Sequence, residues 1–190
     1  MPTAQESVQA IAARFQGRTS QPVEFRGEWT LSVDLEIIPE VAHFLKDEYH
    51  YKYLADICSV DYPDESPRFE IVYEFYHLEA KNHVRIKAKV EEDAEAPTIT
   101  HVYQGANWHE REIYDMMGIR FKNHPDLRRI LMWEGYPYFP LRKEFPLEGK
   151  PSELPDVAFS RTAPLEGGPF VTTNAMHSDE REPRSKAPKL

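Results

Sequence analysis

The sequence predicts an α+β fold, a two-layer domain of sheet and helices followed by an extended, proline-rich C-terminal arm. Three observations predict it. Segments rich in β-branched and aromatic residues follow one another at 53–60, 68–78 and 83–90, grouped together and not interleaved with helices as a wholly parallel sheet would require. Apolar residues at helical spacing flank that block on both sides. Beyond Gly118, prolines at 125, 137, 140 and 146 prevent any long helix.

From Glu6 to Phe15 the apolar residues Val8, Ile11, Ala12 and Phe15 predict a short amphipathic helix covering one face of the sheet. Glu28 to Leu35 alternates Trp29, Leu31, Val33 and Leu35 with polar neighbours, the pattern of a half-buried strand. Pro39 suits the first turn of a helix running to about Tyr49, with Val41, Phe44, Leu45 and Tyr49 on one side. The second and third strands of the block read as an antiparallel hairpin around Glu79 to Asn82. From Thr98 the period turns helical, and steps of 100° place Ile99, Val102, Tyr103, Ala106, Ile113 and Met117 on one stripe. Gly105, and Asn107 followed three residues later by Glu110 as a capping box, make a break into two consecutive helices an equal alternative. After Glu148 come six prolines, three glycines and few large apolar residues, too little to fold alone. The chain thus divides into an α+β domain over 1–120, an extended aromatic and basic docking segment over 121–147, and a tail over 148–190 that is disordered or ordered by partners.

With 190 residues and a formal net charge of -9, the chain has room for one well-packed domain and lacks the basic face that non-specific nucleic-acid binding needs. The single cysteine, Cys58, excludes an internal disulfide and a cysteine-only iron–sulfur site. Its place in the apolar run YLADICSV predicts a small buried hydrophobe. No apolar run approaches the roughly 20 residues of a membrane span, and the N-terminus has neither a signal-peptide core nor an Arg-rich presequence. The expectation is a cytoplasmic protein that touches a membrane only through partners.

Charge and aromatic character concentrate between Asn107 and Leu147, with eight aromatic, seven basic and six acidic residues. That stretch is net +1, so the rest of the chain carries -10. Large rings interleaved with both signs of charge suit a surface that recognises another protein. Within it, Arg111 and Asp115 are i, i+4 neighbours on a helix and can pair, so Glu110, Arg111, Glu112 and Asp115 read alone as a solvated charge ladder. Glu110 stands out, because its phase falls within the apolar stripe and a carboxylate there needs helix-start amides or an arginine. Arg128, Arg129, Arg142 and Lys143 either fix register against a partner's carboxylates or hold down their own segment through Asp126, Glu134 or Glu144. Trp108 and Trp133 are the expected interface anchors beside Tyr136, Tyr138 and Phe139.

Catalytic motifs are missing from the sequence. His101, His109 and His124 lack metal-ligand spacing, and no His-Glu-x-x-His pattern occurs. Asp61 and Asp64, beside Tyr62 and Pro63, read as a turn. No nucleophile elbow, P-loop or Gly-x-Gly-x-x-Gly is present.

Three elements occur in order within the stretch: Glu110-Arg111-Glu112, then His124 to Arg129 reading His-Pro-Asp-Leu-Arg-Arg, then Pro140 to Glu144 reading Pro-Leu-Arg-Lys-Glu. In these the chain resembles the C subunits, the 30 kDa subunit family, of the proton-translocating NADH:quinone oxidoreductase, respiratory complex I. The resemblance implies a peripheral-arm subunit with no cofactor or catalytic residue of its own, on the cytoplasmic side of the bacterial inner membrane. FMN, iron–sulfur clusters and quinone would lie in partner subunits, chiefly the quinone-site D subunit and neighbouring iron–sulfur subunits. It implies an interface drawn from Trp108, Glu110, Arg111, Glu112, Asp115, His124, Asp126, Arg128, Arg129, Trp133, Arg142, Lys143 and Glu144. The chain departs from the common form at Phe139, usually His, at Glu144, usually Asp, and at Met132, Trp133 and Glu134, which replace a more polar version. Related membrane hydrogenases and other quinone reductases share much of the pattern. A freestanding metal-dependent enzyme using His109, Glu110, Glu112 and His124 is the rival from another class.

Overall fold

A computed structural model describes residues 1–147 and 149, and Met1–Phe145 forms one compact unit. A second unit begins at Pro146, and of the tail read from the sequence over 148–190 only Gly149 lies within the described residues.

Helix α1, Ala4–Arg14, starts at a capping box in which Thr3 and Glu6 satisfy each other's backbone amides. Strands β1, Val23–Phe25, and β2, Glu28–Ser32, form a hairpin whose tight turn places Arg26 and Gly27 at positive φ. A 3-10 turn at Leu35–Ile37 leads into α2, Ile38–Asp47, with Pro39 in its first turn. Strands β3, Tyr53–Asp61, β4, Phe69–His77, and β5, Asn82–Val90, follow as the grouped block predicted. The sheet order is β1-β2-β5-β4-β3, antiparallel except where β2 runs parallel to β5.

The pleat sorts the sheet's side chains into two sets. Phe69, Ile71, Tyr73 and Phe75 of β4 lie opposite Val90, Ala88, Ile86 and Val84 of β5, and all eight are buried in one core with Val8 and Ile11 of α1 and Val41, Phe44 and Leu45 of α2. Full burial of each large apolar side chain contributes about 1.5–3 kcal/mol. The other parity carries a charge lattice, with Arg85 between Glu28 and Glu74, and Lys87 at 2.8 Å from Glu70. Cys58 has this second parity, because its neighbour Ile57 points inward. The thiol is exposed, correcting the expectation of burial.

Two boundaries differ from the sequence reading by more than two residues. The strand expected over Glu28 to Leu35 ends at Ser32, since Val33 adds only an isolated bridge to Thr19 before the 3-10 turn. The helix expected from Thr98 begins at Ala106: the chain does break at Gly105, but the first of the two consecutive helices in the alternative reading does not form. Ile99 to Tyr103 form turns, which still bury Ile99, Val102 and Tyr103. The capping box at Asn107 does not form. Helix α3, Ala106–Met117, opens with the amides of Ala106, Asn107 and Trp108 each bonded three residues back, which leaves Glu110 free for another task.

Gly118 ends α3 in the left-handed conformation, φ +81°, and returns the chain toward a short parallel pair of strands. The pair is β6, Glu95–Pro97, with β7, Arg120–Lys122, and α3 is the crossover between them. From Asn123 to Phe145 the chain has no helix or strand and forms a strap of turns. No helix among the described residues is long and apolar enough to cross a membrane.

Candidate functional site

The motif residues converge where the strap crosses α3, and most of their charges are used inside the chain. Asp115 is fully buried on α3, where one carboxylate oxygen accepts from Arg129 Nη1 at 2.6 Å. The other oxygen accepts from three successive backbone amides, Ile130 at 3.0 Å, Leu131 at 2.6 Å and Met132 at 2.8 Å. Such a nest of N–H groups is an anion cradle. Burial alone would raise the Asp115 pKa, but the amides and Arg129 outweigh it and hold the carboxylate below its usual range.

Arg111, one turn earlier, does not pair with Asp115 as the i, i+4 spacing allowed. Its guanidinium donates to the carbonyls of Arg128, at 3.1 Å, and Arg129, at 3.3 Å, because the strap brings those oxygens within reach while the carboxylate is already saturated by amides. Arg129 also donates to Tyr138 O at 3.2 Å and lies over the rings of Tyr136 and Phe139. Helix and strap are thus cross-bolted in both directions.

A second clamp closes the C-terminal end of α3. Arg142 donates from Nε to Met117 O at 2.7 Å, and Leu141 N donates to Met116 O at 3.1 Å, so the strap satisfies helix-end carbonyls. The last turn of α3 has no basic residue of its own, and Arg142 supplies the cation that complements the helix dipole. Phe139 and Arg142 fill the space beside Gly118, where a Cβ would fall 2.7 Å from the Phe139 ring and 2.8 Å from Arg142 Nη2. Phe139, where the resemblance leads one to expect His, therefore sits in a packed contact.

Asp61, read from the sequence as part of a turn, anchors this end. It is buried at the end of β3, receives Arg68 Nε at 2.8 Å and Nη2 at 3.0 Å, and accepts from the backbone N of Lys143 at 2.8 Å. Arg68 holds its carboxyl below the usual range. Arg68 also reaches Glu92 and Glu144, and Glu92 binds Arg142 at 2.5 Å. Sequence reasoning missed Asp61, Arg68 and Glu92. Strand parity was the available signal for Asp61, which lies four residues from Ile57 on the inward side.

Glu110 is fully buried, as its phase implied, and accepts from Thr98 Oγ1 at 2.5 Å and Ile99 N at 2.8 Å. Burial pushes its pKa up to about 7. The His124 ring has no exposed side-chain surface and lies 3.9 Å from Glu110. Asp126 N donates to His124 Nδ1 at 3.0 Å, which assigns the proton to Nε2, facing Asn107 O at 3.3 Å. Burial lowers the His124 pKa and favours the neutral ring.

The remaining motif residues face outward. Trp108 is 61% exposed, Glu112 is exposed, and Arg128 pairs with Asp126 at the surface. The Lys143 side chain and Glu144 are also exposed. Trp133 is half-buried and joins its own segment's rings, 4.5 Å from Tyr136, with Nε1 enclosed and without an acceptor. Of the four side chains of the metal reading only Glu110 and His124 come close, at 3.9 Å; His109 faces Asp56 at 3.2 Å and Glu112 faces outward. Among the described residues no three His, Cys, Asp or Glu side chains are grouped to hold a metal.

The fold itself recurs in a known class of protein. A chain in the structure of the membrane-bound sulfane sulfur reductase, an archaeal respiratory membrane complex, matches with a TM-score of 0.66 over 75% of this chain and 85% of that one, at 22% identity. Residues 31–151 match the family described as respiratory-chain NADH dehydrogenase, 30 Kd subunit. A C-type subunit of the NADH-quinone oxidoreductase of Rhizobium meliloti is 45% identical over 167 residues, spanning 87% of this chain and 91% of the relative. Its counterpart in Rhizobium etli is 50% identical over 125 residues, 65% of this chain and 67% of the relative. The chain belongs to the 30 kDa subunit family of respiratory-chain NADH dehydrogenase, the family of the NADH-quinone oxidoreductase C subunits.

Proposed function

We propose that this chain is a non-catalytic peripheral-arm subunit of a proton-translocating NADH:quinone oxidoreductase. It scaffolds the quinone-site D subunit and the neighbouring iron–sulfur subunits, so that electrons pass from NADH through FMN and clusters held by those partners to quinone. It works on the cytoplasmic side of the bacterial inner membrane and meets the membrane through partners. Its contribution to the reaction is geometric, because electron transfer between separate cofactors depends on distances that protein surfaces must hold. In this reading 1–120 is the folded body, 121–147 the docking segment, and 148–190 an arm ordered by its neighbours.

The observation that carries the reading is the double clamp. Arg111, Asp115, Arg129 and Arg142 spend their hydrogen bonds on making helix and strap one rigid piece, while Trp108 is left at the surface. Rigid presentation of an aromatic side chain suits a binding surface, since little freedom is lost on docking. The test is to tag the chain in its source cells, purify it from mildly solubilised membranes, and assay co-purifying subunits and NADH:quinone activity. Recovery with flavin- and cluster-bearing subunits and activity is the expected result. Recovery as a lone soluble monomer, even after crosslinking, would overturn the reading.

A further inference from the structure

Helix α3 packs against β3 and is crossed by the strap at Asp115, but toward its N-terminus it leaves Trp108 and Glu112 exposed. Trp108 is 61% exposed on a helix whose other large apolar residues, Ile113, Met116 and Met117, are buried. Glu112, four residues on, lies on the same side, about 6 Å further along the axis. One turn beyond Glu112, Asp115 pins the backbone of Leu131, whose side chain is 59% exposed. Trp108 and Glu112 thus share one exposed face of α3, and Leu131 continues the strip on the strap at the level of Asp115.

The strip is preorganised. The Arg111 guanidinium lies 5.2 Å from the centre of the Trp108 ring and is fixed in turn by two strap carbonyls. Leu131 is held through its own amide. Glu112 has no ion pair among the described residues, whereas the nearby Arg128 is matched by Asp126.

Resting on the function proposed above, we infer that this strip is the docking surface for one neighbouring protein of the complex, which presents an apolar recess to Trp108 and Leu131 and a basic side chain to Glu112. Charge decides against two other occupants. A carboxylate with no ion pair among the described residues repels an anionic membrane surface. A second copy of the chain, docking through the same strip about a twofold axis, would bring two Glu112 carboxylates together. The clamped residues Asp115 and Arg129 act on the partner only by holding the strip in shape.

The test places photoreactive benzoylphenylalanine at Trp108, Leu131 or, as comparator, Leu78, which is 60% exposed beyond the end of β4. The tagged full-length chain is then irradiated in membranes and isolated with its complex. Adducts from 108 and 131 to one and the same other subunit, with none from 78, are expected. Glu112→Arg should reduce retention of the chain in the complex about tenfold, and Glu112→Gln should reduce it less. Co-purification of the complex without adducts at 108 or 131, adducts to a second copy or to lipid alone, or retention unchanged by Glu112→Arg would overturn the inference while leaving the scaffold reading intact. Failure to co-purify at all would overturn both.

Discussion

Asp115 and Arg129 meet at 2.6 Å with the carboxylate fully buried, and the same carboxylate gathers the three amides that follow Arg129 in the chain. One side chain thus fixes both a cation and the backbone path of the strap.

Asp115→Ala should destabilise the chain by about 3–5 kcal/mol, because it strands a partly buried guanidinium and three amides at once. Arg129→Ala should cost less, since the amides keep their acceptor. Urea unfolding of the full-length chain measures both. A loss below about 1 kcal/mol for Asp115→Ala would mean that the strap is held elsewhere.

Gly118→Ala should cost about 1–3 kcal/mol through the left-handed backbone and the clash with Phe139 and Arg142. Combining it with Phe139→Ala should recover the ring's share of the clash and leave the Arg142 contact and the backbone part. A double-mutant cycle by thermal melting separates them, and strict additivity would rule out the ring contact as a cause.

Stability should fall on both sides of a window. The Glu110 pKa is raised from 4.5 to about 7, so its contribution is complete below 4.5 and is lost as pH rises through 7. A shift of that size corresponds to roughly 3 kcal/mol. The Asp61 and Asp115 pKa values are lowered from 3.8, so their contributions are present above that value and are lost as the pH falls through the lower folded-state values. Glu110→Gln should flatten the decline between about pH 4.5 and pH 7 and leave the more acid limb in place. Denaturation series from about pH 3 to about pH 9 show whether it does.

Cys58 should be alkylated without unfolding, because it is exposed, but slowly near neutral pH. Desolvation, with Asp56 and Glu74 nearby, raises its pKa and keeps the thiolate scarce. Iodoacetamide kinetics followed by mass spectrometry should show a rate rising with pH. Labelling only under denaturing conditions would place the thiol inside.

The sheet block was legible because β3, β4 and β5 are each nine residues long, enough for their composition and alternation to show. Strands β1, β6 and β7 are three residues each, too short to carry a period, and exist because the chain around them is already placed. The burial of Glu110 followed from helical phase, although its donors came from residues 98 and 99 and not from the start of its own helix. What spacing along the chain could not give was the choice between local and distant partners. Arg111 and Asp115 are ideally spaced neighbours, yet each binds the strap, because three amides and two carbonyls held by tertiary structure outcompete one solvent-facing ion pair. Cys58 was misread for a simpler reason: apolar neighbours on a strand do not share a face, and parity decides.

The hydrogen bond from Lys143 to Asp61 spans 82 residues, and the ion pair from Arg142 to Glu92 spans 50. Contacts across such separations form late, after hairpins such as β4–β5 that join near neighbours. The sheet must exist before Asp61 and Glu92 stand where the strap can find them. The C-terminal end of the strap is therefore the last piece to close, a latch whose engagement reports that the sheet upstream has already folded.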